Sequence, residues 1–342
     1  MHGRAAHSTA AHGRDGHAAH GHDDEHAPHG HGVGRDGHAA HGHDDEHAPH
    51  GHGVGRDGHA AHGHAAHGHG ADHDGDDVQA EILDLDAEVL AEHIASITAW
   101  LPVASAPRHI VDLGSGTGAG TLALLKRFPE AKVTAVDTSA GHLHRLREKA
   151  AAAGLADRVH TVEADLDTAW PDLGTPELVW ASASMHHMAD PDRTLRHVRD
   201  TLAPGGLFAV VELAGFPRFL PEDAPAERPG LEERCHAALD RHHAEHMPHR
   251  GADWGPKLTA AGFTVEGERT ITVNIGPPHT EAVGRYALGG LRRMRGGAAD
   301  LLSPEDLAAL DRLLDTDSPH SILRRDDLTV RTERMVWAAR RP

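Results

Sequence analysis

The sequence predicts an α/β protein built on a parallel sheet with helices covering both faces. Two observations carry this. Between residues 108 and 212, short runs that are apolar throughout alternate with helix-like runs, the pattern of strands buried on both faces. The first of these runs, Ile110-Val111-Asp112-Leu113, passes directly into Gly114-Ser115-Gly116-Thr117-Gly118 and then a helix. A strand that turns sharply into a helix bares backbone N–H groups at the helix N-terminus, and glycines let a ligand lie against them.

The first 77 residues of the 342 contribute nothing to that sheet. Their large apolar side chains are Met1, Val33 and Val54. Burial there cannot offset the roughly 1–2 kcal/mol per residue that backbone ordering costs. Residues 13–33 recur unchanged at 34–54, and a third copy begins at 55. The repeat lacks the apolar positions that a solenoid stacks, so it reads as a disordered low-complexity tail. Its histidines stand two, three and four residues apart: His20, His22, His26, His29, His31, and again His41, His43, His47, His50, His52. With the acidic triplets between them, these are candidate ligands for zinc or nickel. The same tract is equally readable as a replication expansion whose metal affinity is incidental.

Composition narrows the function classes. The formal charge is −19 with 36 neutral histidines, which argues against a constitutive nucleic-acid partner. Protonating those histidines would reverse the sign. The single cysteine, Cys235, excludes an internal disulfide framework and a cysteine-based zinc site. No apolar run suits a secretory signal or a membrane span, so the expectation is a cytoplasmic protein without a membrane partner.

Each element then follows in order. Residues 78–101 place Ile82, Leu85, Val89, Ile97 and Trp100 at helical spacing, one amphipathic helix stopped by Pro102. Strands are expected at 108–113, 132–136, 158–163, 177–181 and 207–212. Helices are expected at 118–128, at 139–153 with Ser139 as its cap, and at 191–202. Residues 213–230 carry four prolines with Phe216 and Phe219, an irregular loop suited to a lid or substrate wall. Helices follow at 231–249, 254–261, 280–294 and 303–314, the last two an insertion. Strands at 263–275 and 329–339 complete the chain. The domain plan is therefore a tail (1–77) and one domain (78–342), with a core at 108–212, a lid and helical insertion at 213–320, and a last strand.

The glycine turn alone is compatible with several nucleotides, because Gly114-x-Gly116-x-x-Ala119 also satisfies the dinucleotide fingerprint. Asp112 favours one of them. A carboxylate two residues before the glycines repels a pyrophosphate and attracts a ligand that carries an ammonium group. Asp137, ending the second strand, can accept both ribose hydroxyls. Asp165, ending the third, can accept from an adenine amino group. The set suits S-adenosylmethionine better than NAD.

Residues 108–212 resemble the class I S-adenosylmethionine-dependent methyltransferases. The resemblance rests on Val111–Gly118, on Ala135-Val136-Asp137-Thr138-Ser139, on Glu163-Ala164-Asp165-Leu166, on Leu178-Val179-Trp180-Ala181-Ser182 and on residues 202–207, in family order and spacing. It implies a Rossmann-like doubly wound sheet of seven strands, mostly parallel, whose last strand is antiparallel. It implies that Asp112, Gly114 and Gly116 line the methionine side, that Asp137 holds the ribose and that Asp165 and Leu166 flank the adenine. Ser115, Thr117, Gly118, Thr138, Ala164, Ala181 and Ser182 complete the candidate cofactor set.

Methyl transfer needs an acceptor in line with the methyl and, for hydroxyl or some amine acceptors, a base. His187 and His186, after the fourth strand, are the candidates, with at least one of them expected to be structural. His242, His243, His246 and His249 lie at helical spacing and read as a solvated face. The absence of an Asp/Asn-Pro-Pro-Tyr sequence after the fourth strand counts against acceptors that are amino groups of DNA or protein amides. The expected function is methylation of a small molecule at O, N or C. The alternatives are a metal-buffering protein whose domain is a scaffold, and an NAD(P) oxidoreductase.

Overall fold

In the computed structural model, residues 71–342 are described, apart from the side chains of residues 71–76 and 245. The disordered-tail reading of residues 1–70 and the histidine ligands at 20–52 lie outside the described residues; residues 71–77, which the sequence reading assigns to the tail, are instead helical and continue into the domain.

Seven strands form one sheet: β1 (His109–Leu113), β2 (Lys132–Asp137), β3 (Val159–Glu163), β4 (Leu178–Ser182), β5 (Leu207–Leu213), β6 (Thr264–Ile275) and β7 (Val330–Arg340). Their order is β3-β2-β1-β4-β5-β7-β6. β7 runs antiparallel to both neighbours, β5 and β6, whereas the pairs among β1–β5 are parallel. The expected seven-stranded, doubly wound sheet with an antiparallel last strand is thus the one observed. The chain order reverses between β1 and β4, and ligands of open α/β sheets bind at the carboxyl ends of strands flanking such a point.

Alternation within each strand sends side chains to two cores. Ile110, Leu178, Trp180 and Val211 pack on one face; Val111, Leu113, Val179 and Phe208 pack on the other. The first face is covered by α3 (Ala119–Arg127) and, through Ile97 and Leu101, by the segment before β1. The second is covered by α5 (Pro191–Thr201) and α7 (Trp254–Ala260). The remaining core helix, α4 (Ala140–Ala152), starts where expected: the Ser139 hydroxyl accepts from the His142 N–H at 3.2 Å.

One expectation is corrected. The segment before β1 is two helices, α1 (Ala71–Val89) and α2 (Ala91–Trp100), broken at the buried Leu90. The two halves have different partners. α2 packs on α3, whereas α1 packs on α4 and on a helix of the insertion. A single straight helix could not follow both.

A third core lies beside the sheet. α6 (Leu231–His246), α8 (Glu281–Gly297) and α9 (Pro304–Leu314) enclose Leu231, Tyr286, Leu291 and Leu310. Phe219 and Leu220 of the 214–230 loop are inserted among them. The loop is pinned from beneath by the buried Glu232 carboxylate, which accepts from the N–H of Phe219 at 2.8 Å and of Leu220 at 2.9 Å. Cys235 is buried in the same core, and burial pushes its thiol up to about 12. No helix of the described residues is long and apolar enough to cross a membrane.

Candidate functional site

The site begins at the turn after β1. Gly114 has φ +65°, and a Cβ there would stand 2.4 Å from the Ser184 Cβ. The close approach is fixed from the other side, where the Ser184 hydroxyl donates to the Leu113 carbonyl at 2.8 Å. The turn is stitched to β2: the Ser115 N–H donates to the Val136 carbonyl at 2.9 Å and the Gly116 N–H to Asp137 Oδ2 at 2.8 Å.

Three acids stand at successive strand ends in distinct environments. Asp112 is 2% exposed and accepts from the Thr121 hydroxyl at 2.6 Å. Burial raises its pKa to about 7, Asp137 adds to the rise, and Thr121 opposes it. Its charge is therefore not a fixed feature, as the sequence suggests, but one that an arriving cation would stabilise. Asp137 behaves in the opposite way. Burial would raise it, but hydrogen bonds from His142, the Ser139 N–H and the Gly116 N–H outweigh burial and hold it below its usual value. Asp165 is exposed and caps its own turn, accepting from Thr168 Oγ1 at 2.6 Å and from the Asp167 N–H at 2.9 Å.

These groups border a cavity of about 620 Å³. Of the sequence-predicted cofactor residues, Asp112, Gly114, Ser115, Gly116, Thr117 and Asp137 line it, as do Thr138, Ala164, Asp165, Leu166 and Ser182. Gly118 and Ala181 do not. Gly118, at φ +93°, leaves room for Leu146, whose Cδ1 lies 2.2 Å from where its Cβ would be. Ala181 is fully buried in the sheet. The opposite wall is the helical segment before β1, whose sequence also suited it to close one side of a pocket: Gln79, Leu83 and Asp86 of α1, with Leu90 and His93. α1 is held over the turn by Asp84, which pairs with Lys149 and, at 3.2 Å, with Arg145 of α4. Three polar atoms of the lining are buried without a partner: Ser115 Oγ, Trp180 Nε1 and His93 Nδ1. Unsatisfied buried polar groups are costly and uncommon, so a wall carrying three of them fits a polar ligand.

A second cavity, of about 240 Å³, adjoins the first; Gln79, Leu83, Ala183, His187 and Arg293 border both. Ala183, immediately after β4, has φ +52°, a left-handed conformation that costs energy in a residue with a Cβ. The two candidate bases part company here. His186 is buried, and its Nδ1 lies 2.6 Å from Oε2 of Glu212, itself 1% exposed. The other oxygen of Glu212 accepts from the His186 N–H at 3.3 Å. His187 faces the cavity space with its ring centre 4.1 Å from that of His186. Burial against the surrounding protein, with His186, pushes it down to about 4.

The far end of this cavity corrects the solvated-face reading of α6 at His243, whereas His242 and His246 are exposed. His243 accepts from Arg250 Nη1 at 3.1 Å and packs on Phe216, ring centres 5.3 Å apart. His242 and His246 stack on each other at 4.3 Å. No cluster of three or more metal-ligating side chains occurs among the described residues.

The methyltransferase-domain family matches residues 110–206. A malonyl-[acyl-carrier protein] O-methyltransferase of Halorhodospira halophila is 32% identical over 215 residues, covering 61% of this chain and 67% of that one. The chain belongs to the class I S-adenosylmethionine-dependent methyltransferases. A trans-aconitate 2-methyltransferase of Paracidovorax citrulli is 39% identical over 107 residues, 31% of this chain. This chain spans only 39% of that relative's length. Among solved structures, a geranyl diphosphate C-methyltransferase of Streptomyces coelicolor A3(2) is similar with a TM-score of 0.41 at 14% identity, over 74% of this chain and 76% of that one. The NAD(P) oxidoreductase reading finds no support in these comparisons.

Sequence reasoning placed Glu212 at the end of its strand without giving it a role. The signal was present: one carboxylate inside the run Val210-Val211-Glu212-Leu213 needs a buried partner. Arg250 and Arg293 carried no comparable signal, since surface arginines are common and nothing in their spacing points inward.

Proposed function

We propose that this methyltransferase acts on a protic small molecule, a hydroxyl or amine, seated in the 240 Å³ cavity beside the cofactor cavity. The observation that carries this is the shared wall: Ala183 and His187 border both spaces, so an acceptor in one lies next to a donor in the other. In this reading Asp112 and the Gly114–Gly116 turn hold the methionine end, Asp137 takes the ribose, and Asp165 with Leu166 flanks the adenine. When bound, S-adenosylmethionine supplies a methyl group on a sulfonium, and the carbon–sulfur electron pair stays on sulfur.

The chain's own part is to orient the acceptor and take its proton. His186 suits that role better than His187. Glu212 accepts from Nδ1 and so fixes the tautomer, leaving the Nε2 lone pair for an acceptor proton. His187, held near 4 by burial, is a weak base. The H. halophila relative, by name an O-methyltransferase, is in keeping with an oxygen acceptor.

Calorimetry on the full chain tests the cofactor half: S-adenosylhomocysteine binds and NADH does not. If S-adenosylhomocysteine failed to bind, the reading would be abandoned. The histidine tail is proposed as an accessory site for zinc or nickel, on the strength of its histidine spacing. Equal zinc uptake by the full chain and by one lacking residues 1–64 would end that part.

A further inference from the structure

The second cavity is mostly apolar, with Leu239, Phe219, Met247 and Met294 in its walls. Two guanidinium groups nevertheless open into it. Arg250 and Arg293 lie on the same ring, their central carbons 3.3 Å and 5.5 Å from the centre of Phe216. Neither has a carboxylate within ion-pair reach among the described residues, in a chain whose formal charge is −19. Arg334, which also borders the cavity, is different: Asp86 holds it at 2.9 Å and neutralises it.

The remaining contacts of the two arginines leave capacity for a ligand. Arg250 Nη1 is spent on His243, but its Nη2 is buried with no partner. Arg293 makes no hydrogen bond among the described residues, only its contact with Phe216. The acids whose fields reach Arg250 are Asp240 and Glu212, and Glu212 is already engaged by His186. Burial pushes Arg250 down to about 10, so its charge is poorly compensated by its surroundings. A planar fork with unused donors matches a carboxylate in two-point fashion.

We infer that Arg250 and Arg293 form an anion clamp for a carboxylate on the methyl acceptor, set apart from the atom that receives the methyl. The inference rests on the reading of this cavity as the acceptor site and names its substrate class: a carboxylic acid with an apolar body and a hydroxyl or amine. Phe216 orients both guanidinium groups, and the apolar walls take the body between the clamp and His186.

The test uses the full chain saturated with S-adenosylhomocysteine. Thermal shift and calorimetry are read with 4-hydroxybenzoate, 4-hydroxycinnamate and 3-hydroxyhexanoate, each against its primary amide, and with inorganic phosphate. The acids are expected to bind at least about tenfold tighter than their amides, since only they satisfy the clamp. Arg250→Gln and Arg293→Gln each lose about that factor for the acid, with the amide unaffected, and Arg250→Lys recovers part of it. The melting temperature of the ligand-free variants reports whether they fold, and their S-adenosylhomocysteine affinity separates this inference from the cofactor reading. Acid and amide binding alike, or no acid binding at all, overturns the clamp. Phosphate binding as tightly as the acids overturns the carboxylate assignment. A loss of S-adenosylhomocysteine affinity in Arg293→Gln assigns that residue to the cofactor instead and likewise overturns it.

Discussion

The two cavities meet at Ala183 and His187, yet they are made of different material. The larger is built on the glycine turn and on residues at strand ends, with α1 as its far wall, and two of its three strand-end acids accept from backbone N–H groups: Asp137 from Gly116 and Ser139, Asp165 from Asp167. The smaller is walled by side chains from the 214–230 loop, α6 and α8, and its cations are held against an aromatic ring. The first is a property of the sheet, repeated wherever this topology is built. The second depends on which side chains an irregular loop and an insertion bring together. A ligand common to a family belongs in the first kind of space, and a ligand particular to one member in the second.

If that contrast is right, the largest effect comes from breaking the backbone-held site. Asp137→Ala removes the acceptor for two N–H groups, and hydrogen bonds to a charged group are worth about 1.5–3 kcal/mol each. S-adenosylhomocysteine affinity should fall by at least about 100-fold in calorimetry, with a lowered melting temperature, because the turn itself is released. Retained affinity would mean that the turn holds its shape without Asp137. The second effect, on turnover alone, belongs to Glu212→Gln. An amide can donate to Nδ1 and so favour the wrong tautomer, and general-base catalysis is commonly worth about 100-fold or more. We expect kcat to drop by about that factor with S-adenosylhomocysteine affinity unchanged and the acidic limb of the pH–rate profile displaced. His187→Ala should cost less than His186→Ala; the reverse order would move the base to His187.

The same contrast explains what was legible in the sequence. Strand positions, the glycine turn and the three acids could be read because each is dictated locally: apolar runs for buried strands, φ above zero at Gly114, a carboxylate at a strand end. The break at Leu90 was not, because it arises from two distant partners for one amphipathic segment. His243 was misread for a related reason. Helical spacing shows which histidines share a face, but only the path of the 214–230 loop puts Phe216 and Arg250 on His243. Gly118 and Ala181 lie within the matching segments and still serve packing, since a glycine can be demanded by Leu146 as readily as by a ligand.

A third, smaller effect sharpens the account of Asp112. Its pKa of about 7 means that near neutral pH the folded, ligand-free chain is close to half protonated there. The ionised form is the one that attracts an ammonium group. S-adenosylhomocysteine affinity should therefore rise from pH 6 to pH 8, by up to about tenfold per unit below 7, and level off above. Because its folded pKa lies above the ordinary value, Asp112 favours the fold below about 4 and loses that contribution as pH rises through 7. Ligand stabilisation should grow over the same interval. Asp112→Asn should bind more weakly at pH 8 and show no such slope. A wild-type affinity flat between pH 6 and 8 would place the ammonium elsewhere.

The smallest effect concerns α1, the wall common to both cavities. Its hold on the turn is electrostatic: Asp84 pairs with Lys149 and Arg145, and Lys149 also donates to the Thr117 carbonyl at 2.9 Å. Burial would raise Asp84, but its bonds to Lys149, Thr117 and Arg145 outweigh that and keep it ionised. These groups are about 30% exposed, so each pair contributes about 0.2–1 kcal/mol and is screened by salt. Asp84→Asn should weaken S-adenosylhomocysteine by a few-fold, and the wild type should approach the variant as salt rises from 0.05 to 0.5 M. A loss as large as that of Asp137→Ala would make α1 as much a fixed part of the cofactor site as the glycine turn, and the division between backbone-held and side-chain-held walls would have to be redrawn through the middle of the larger cavity.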